Sequence, residues 1–175
     1  QADFILTLLS VRWAEGKREI QKFAKETKLQ PENINDITAY NRLIDIDSSM
    51  MIYPISMLAF NRSVLRGVYP LLADDEDETN LNLWKIAHEK ALNRSNWQSY
   101  INLVMSSGFI HDRMITQPNA FMFIYGIYLI GIDLGVDRRI LERTISSFFF
   151  MSTLSRRYTS SSETRAQQDI QMIKD

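Results

Sequence analysis

Apolar residues recur at helical spacing along the whole chain, and no segment alternates apolar and polar positions with a period of two. The pattern therefore predicts an all-α fold without a sheet. Near the start, Phe4, Leu8, Val11 and Leu6, Leu9, Trp13 trace an apolar stripe that continues through Ile20 and Phe23 among lysines and arginines. One helix from about Ala2 to Lys28 accounts for it, and Pro31 comes just after the break because proline cannot donate to a helical ladder. From Asp36 to Ala73, the residues Met50, Met51, Ile55, Met57, Leu58 and Phe60 make a methionine-rich face. Pro54 lies inside this pattern and must kink the helix or occupy its first turn, and a second short helix through Val64 to Leu72 is interrupted at Pro70. Leu81 to Met105 supports one or two helices, with any break near Ser95, ended by Ser106-Ser107-Gly108. Ala120 to Ile132 is apolar nearly all round, which predicts a buried core helix containing Phe121, Tyr125 and Tyr128. Gly131, Gly135 and Asp137 mark the next turn, a helix runs from Arg138 to about Arg156, and a polar helix begins after Ser160. The sum is a single compact all-α domain of about seven to nine helices.

Composition narrows the classes. At 175 residues, with 45% hydrophobic and 23% charged, the chain has material for one real core. A net charge of −1 supplies no global positive field, so any contact with nucleic acid must be local. The acidic run Asp74 to Glu78 reads as a solvated loop through like-charge repulsion. Zero cysteines exclude disulfides and thiolate metal sites and are compatible with a reducing cytoplasm, which is the expected location. The apolar run at Ala120 is shorter than the ~20 residues a membrane-spanning helix requires. The chain starts at Gln1 without a charged and then continuously apolar leader, so the expectation is a piece of a longer protein rather than a signal peptide.

Candidate chemistry is sparse. His88, beside Glu89, reads as a surface residue of a helix and His111 as a turn residue, and neither has metal-ligand spacing. Gly126, Gly131 and Gly135 make no phosphate cradle, and Ser160, Ser161 and Ser162 have no identifiable base. No catalytic residue, metal or cofactor is expected in this chain. Phe148, Phe149 and Phe150 are too apolar for a solvent face and run into Arg156 and Arg157. Arginines gather in the last third as Arg138, Arg139, Arg143, Arg156, Arg157 and Arg165, against Asp133, Asp137, Glu142, Glu163 and Asp169. Around the turn at Tyr158, the residues Arg156, Arg157 and Arg165 with Ser160 and Ser161 form a candidate DNA-phosphate site at a helix start. The competing expectation is structural: Ser160-x-x-Glu163 closes a capping box, and the arginines pair with Asp169 or solvent.

The segment FFFMSTLSRRYTSSSETRAQQDI at 148–170 also resembles the "W-F-F … L-S-G-R-Y-S-S … E … D-I" stretch of the GmrS-like, ParB-related family of modification-dependent restriction systems such as GmrSD. QADFILTLLS at 1–10, FNRSVLRGVYPLLAD at 60–74 and SGFIHDRMITQPNAFMFIYGIYLI at 107–130 are similar to other stretches of that family in the same order. The resemblance implies the helical region that comes after the family's catalytic ParB-like domain. The nucleotide-hydrolysing D-G-Q-Q-R motif of that upstream domain and the HNH nuclease core found downstream are both missing from this chain. The expectation is therefore a non-catalytic helical domain of a bacterial phage-defence protein. Its implied partners are the upstream ParB-like NTPase domain, a downstream effector domain and DNA. A free-standing helical protein–protein interaction module, binding a partner helix in an apolar groove, is the alternative, and an enzyme with its own site comes third. Where the family has glycine before the arginine of the terminal motif, this chain has Arg156.

Overall fold

The computed structural model describes residues 1–33, 36–74 and 78–174. Among them are nine α-helices and no strand: α1 (Ala2–Arg12), α2 (Ala14–Glu26), α3 (Ile52–Phe60), α4 (Tyr69–Ala73), α5 (Thr79–Ala91), α6 (Arg94–Ser106), α7 (Pro118–Asp133), α8 (Arg138–Leu154) and α9 (Ser162–Lys174). Single 3-10 turns occur at Leu65–Gly67 and Asp112–Met114. No helix among the described residues is long and apolar enough to cross a membrane.

Pro118 opens α7, where its missing N–H costs nothing, and the twelve residues from Ala120 to Gly131 are all buried. A helix this apolar on every side needs walls all round, and α3, α6 and α8 supply them. Two glycines set how near those walls come. A Cβ on Gly126 would lie 3.2 Å from the Pro54 Cα and 2.7 Å from the Met57 sulfur, so α3 packs backbone to backbone against α7. A Cβ on Gly131 would meet the Leu141 side chain at 2.3 Å, so α8 enters by the same device. On the α6 side Trp97 and Tyr100 meet Phe121 and Tyr125 with centroids 5.0–5.9 Å apart, the edge-on and tilted arrangements that aromatic quadrupoles favour. The two tyrosine hydroxyls buried there are satisfied, Tyr100 donating to the Phe121 carbonyl and Tyr125 to the Ala91 carbonyl, each at 2.8 Å.

Several local expectations need correction. The first helix is broken at Trp13, whose backbone turns to φ −157, ψ 72. Its indole folds back over Gly16, where any Cβ would sit 2.2 Å from the ring. The outward residues of the expected stripe are Phe4 and Val11, 70% and 84% exposed, while Ile5, Leu6 and Leu9 enter the core. Pro54 takes one of its two expected places, the first turn of α3, whereas Pro70 opens α4 instead of interrupting it. The α5–α6 break falls at Leu92–Asn93, because the Asn93 side chain caps α6 by accepting from the Asn96 amide. Residues 38–46 form an ordered, non-helical connection. There the Trp97 indole donates to the Ala39 carbonyl, and the Asn41 side chain accepts from the Leu43 and Ile44 amides. Phe149 is buried, but Phe150 is 49% exposed. Of the acidic run, Asp75, Glu76 and Asp77 lie outside the described residues.

Truncation of Phe121 to alanine is expected to cost about 3–5 kcal/mol in urea denaturation, since it opens a cavity at a fully buried position where α6 and α7 meet.

Candidate functional site

The candidate site begins with the way α8 ends. The Arg157 amide donates to the Ser152 carbonyl at 2.9 Å and the Arg156 amide to the Thr153 carbonyl at 3.2 Å, a Schellman arrangement that puts Arg156 at φ 52. The ends of α6 and α7 use the same arrangement with Gly108 at φ 99 and Gly135 at φ 68. Arginine in this left-handed position carries a steric cost of about 1–2 kcal/mol that glycine avoids.

Two residues on, the chain is tied down. Asp169, 6% exposed, accepts from the Tyr158 hydroxyl at 2.7 Å and from Arg157 through Nε at 3.1 Å and through Nη2. The Asp169 carboxylate holds the Arg157 guanidinium above its ordinary pKa, and burial, followed by Asp169, pushes the Tyr158 phenol upward. Glu163 does not close a capping box. The residue preceding α9 is Ser161, at φ 51, and the Glu163 carboxylate instead accepts from the Tyr53 hydroxyl at 3.1 Å and the Leu65 amide at 3.3 Å. Burial and that carboxylate push Tyr53 up to about 12. Together with the Ser63 hydroxyl bonding the Glu163 carbonyl, and Gln167 bonding the Ser63 amide and the Asn61 carbonyl, these contacts staple α9 to the connection after α3.

The outcome is a cleft of about 230 Å³ lined by Ser155, Arg156, Arg157, Ser160 and Arg165. Four of the five residues expected from the sequence meet there, while Ser161 is not part of the lining and offers its carbonyl to the Arg165 amide. Arg157 is engaged with Asp169, the pairing expected on structural grounds. Arg156 and Arg165 are exposed, and among the described residues neither has an ion-pair partner. Two uncommitted guanidiniums beside a hydroxyl, close to the positive end of the α9 dipole, are suited to phosphate oxygens. Among the described residues there is no group of three or more His, Cys, Asp or Glu side chains placed to hold a metal ion.

A larger cleft of about 790 Å³ lies between α2, α5 and the start of α6, and it corrects the reading of His88. The ring is 4% exposed, edge-on to Trp13 at 4.7 Å, with Nε2 donating to the Gly16 carbonyl at 3.3 Å. Its place could have been read from Leu81, Trp84 and Ala91, which share its face of α5. Burial lowers its pKa to about 4, and it is neutral at pH 7. Two of the other charges here are committed: Arg94 binds Glu26 through two bonds of 2.6 Å, and Lys85 sits over Trp13. His111 is exposed in the turn expected for it.

Comparison of the chain with protein-family models, with curated proteins and with solved structures finds no match.

Replacing Arg156 by glycine is expected to stabilise the fold by about 1 kcal/mol, seen as a raised urea midpoint with an unchanged slope. His88 predicts a second effect. Its folded pKa lies below the unfolded value of 6.5, so the unfolded chain binds more protons between the two. Stability should be fully present above about pH 6.5 and fall by about 3 kcal/mol as the pH drops to about 4. Denaturation at successive pH values should show that limb flattened in His88→Gln.

Proposed function

We propose that the chain is a non-catalytic helical domain that contacts DNA phosphates through the cleft at the α8–α9 turn. In line with the resemblance to GmrS-like proteins, it couples an upstream ParB-like NTPase domain to a downstream effector in a bacterial, cytoplasmic defence protein. The observation that carries the DNA contact is the convergence of Arg156 and Arg165, without ion-pair partners among the described residues, on one cleft with Ser160. With a net charge of −1 the attraction is local, so binding is weak and strongly dependent on salt. Support for the coupling role comes from the order of the motifs along the chain and from the exposed apolar residues Phe4 and Val11 on α1 and Leu83 and Ile86 on α5. Those same exposed residues favour the second reading, a free-standing helical protein–protein interaction module.

Arg157 is unsuited to a functional test, because removing it strands the buried Asp169 carboxylate. The pair Arg156→Ala, Arg165→Ala avoids this. It should weaken duplex DNA binding and lower the salt slope by about 0.9 for each phosphate no longer neutralised, with the circular dichroism unchanged. An unchanged slope in the folded variant would reduce the turn to a structural element.

A further inference from the structure

We propose that the groove between α6 and α8 is a track for single-stranded nucleic acid. Arg139, Arg143, Ser146 and Phe150 succeed one another along α8 at intervals of four, three and four residues, which at 3.6 residues per turn puts them on one face. Ser99, Asn102 and Ser106 form a matching row on α6. With Arg139, Arg143 and Ser146, and with Leu103, Arg138 and Glu142, they line a groove of about 570 Å³, and Phe150 lies beyond its lining. A hydrogen bond between the Ser107 and Ser146 hydroxyls ties α8 to the residue that ends α6.

One acid, Glu142, lines the groove beside its partner Arg138, and Asp137 lies at the start of α8. Glu142 accepts from Arg138 at 2.8 Å, and Asp137 caps α8 by accepting from the Arg139 and Ile140 amides at 3.0 and 3.2 Å. Arg139 and Arg143 are exposed, and among the described residues neither has an ion-pair partner. Guanidiniums flanked by hydroxyl and amide groups match a phosphate–sugar backbone. Phe150 continues the row about 10 Å beyond Arg143, at 1.5 Å per residue. It is 49% exposed, and its ring is steadied by Phe109 at 6.4 Å. This aromatic ring selects the strand: a duplex keeps its bases stacked inside, whereas each base of a single strand offers a face to an aromatic side chain. A small free anion would use neither the length of the row nor the ring. The groove shares no lining residue with the cleft at the α8–α9 turn, so the two surfaces succeed or fail separately.

The test is fluorescence anisotropy of labelled oligo-dT and oligo-U of about 12 nucleotides, within the range single-strand sites occupy, added to the full 175-residue chain at about 50 and 200 mM salt. Each variant is made both in the wild-type chain and in the Arg156→Ala, Arg165→Ala background, which removes duplex contact at the other cleft. Arg139→Ala with Arg143→Ala should weaken binding about tenfold or more and lower the salt slope by about 0.7 for each phosphate no longer neutralised. Phe150→Ala should weaken it about fivefold with the salt slope retained. The groove variants should lower the affinity by the same factor in both backgrounds, since the two surfaces share no lining residue. Absence of single-strand binding at the lower salt would overturn the proposal. So would indifference of the affinity to Phe150→Ala, or displacement of the strand by tripolyphosphate at equal phosphate concentration.

Discussion

The structure depends on the burial of α7 from Ala120 to Gly131, which leaves only its ends, Ile132 among them, to solvent. A helix that is apolar all round has no face to give to water, so every neighbour must close against it, and Gly126 and Gly131 let α3 and α8 do so at short range. The surface is shaped by this demand. Because Leu141, Ile145, Phe149 and Ser152 of α8 point inward, its opposite face is left to Arg139, Arg143, Phe150 and Leu154. Core phasing thus decides which arginines reach solvent, and the proposed nucleic-acid surfaces are a consequence of packing rather than an addition to it.

The second constraint is the buried carboxylate of Asp169. An isolated charge in that position would be costly, and Arg157 and Tyr158 offset the cost while fixing the turn between α8 and α9. Adjacent arginines consequently have different fates. Arg157 turns inward to the carboxylate, whereas Arg156, held at positive φ by the Schellman end of α8, stays outside beside Arg165. The staple through Glu163 and Gln167 then holds α9 so that Arg165 faces the same cleft.

How much could be read from the sequence depends on the range of the forces involved. The continuous apolar run at Ala120 and the glycines Gly108 and Gly135 act through their own turn of chain, and each stands where the sequence places it. The break at Trp13 was hidden because its cause is tertiary, the indole lying over Gly16 and against His88. Burial of His88 was legible in its spacing from Trp84 and Ala91, but a histidine next to a glutamate reads as surface. The connection at 38–46 carries no periodicity, since its order comes from Trp97 and Asn41. At the candidate site, Arg156, Arg157 and Arg165, close to one turn in the sequence, line one cleft. The sequence offered Asp169 as a partner for the arginines without fixing which of them it takes, and it did not show that Glu163 reaches across to Tyr53 of α3 instead of capping α9.

The proposed assignment of nucleic-acid contact to α8 and the turn after it is tested most directly by amide chemical-shift mapping of the ¹⁵N-labelled 20.4 kDa chain during titration with a short oligonucleotide. Shifts confined to residues 138–165 and the facing row of α6, with α1 and α5 unmoved, are the expected result. Largest shifts around Phe4, Val11, Leu83 or Ile86, or no shifts anywhere at low salt, would contradict it.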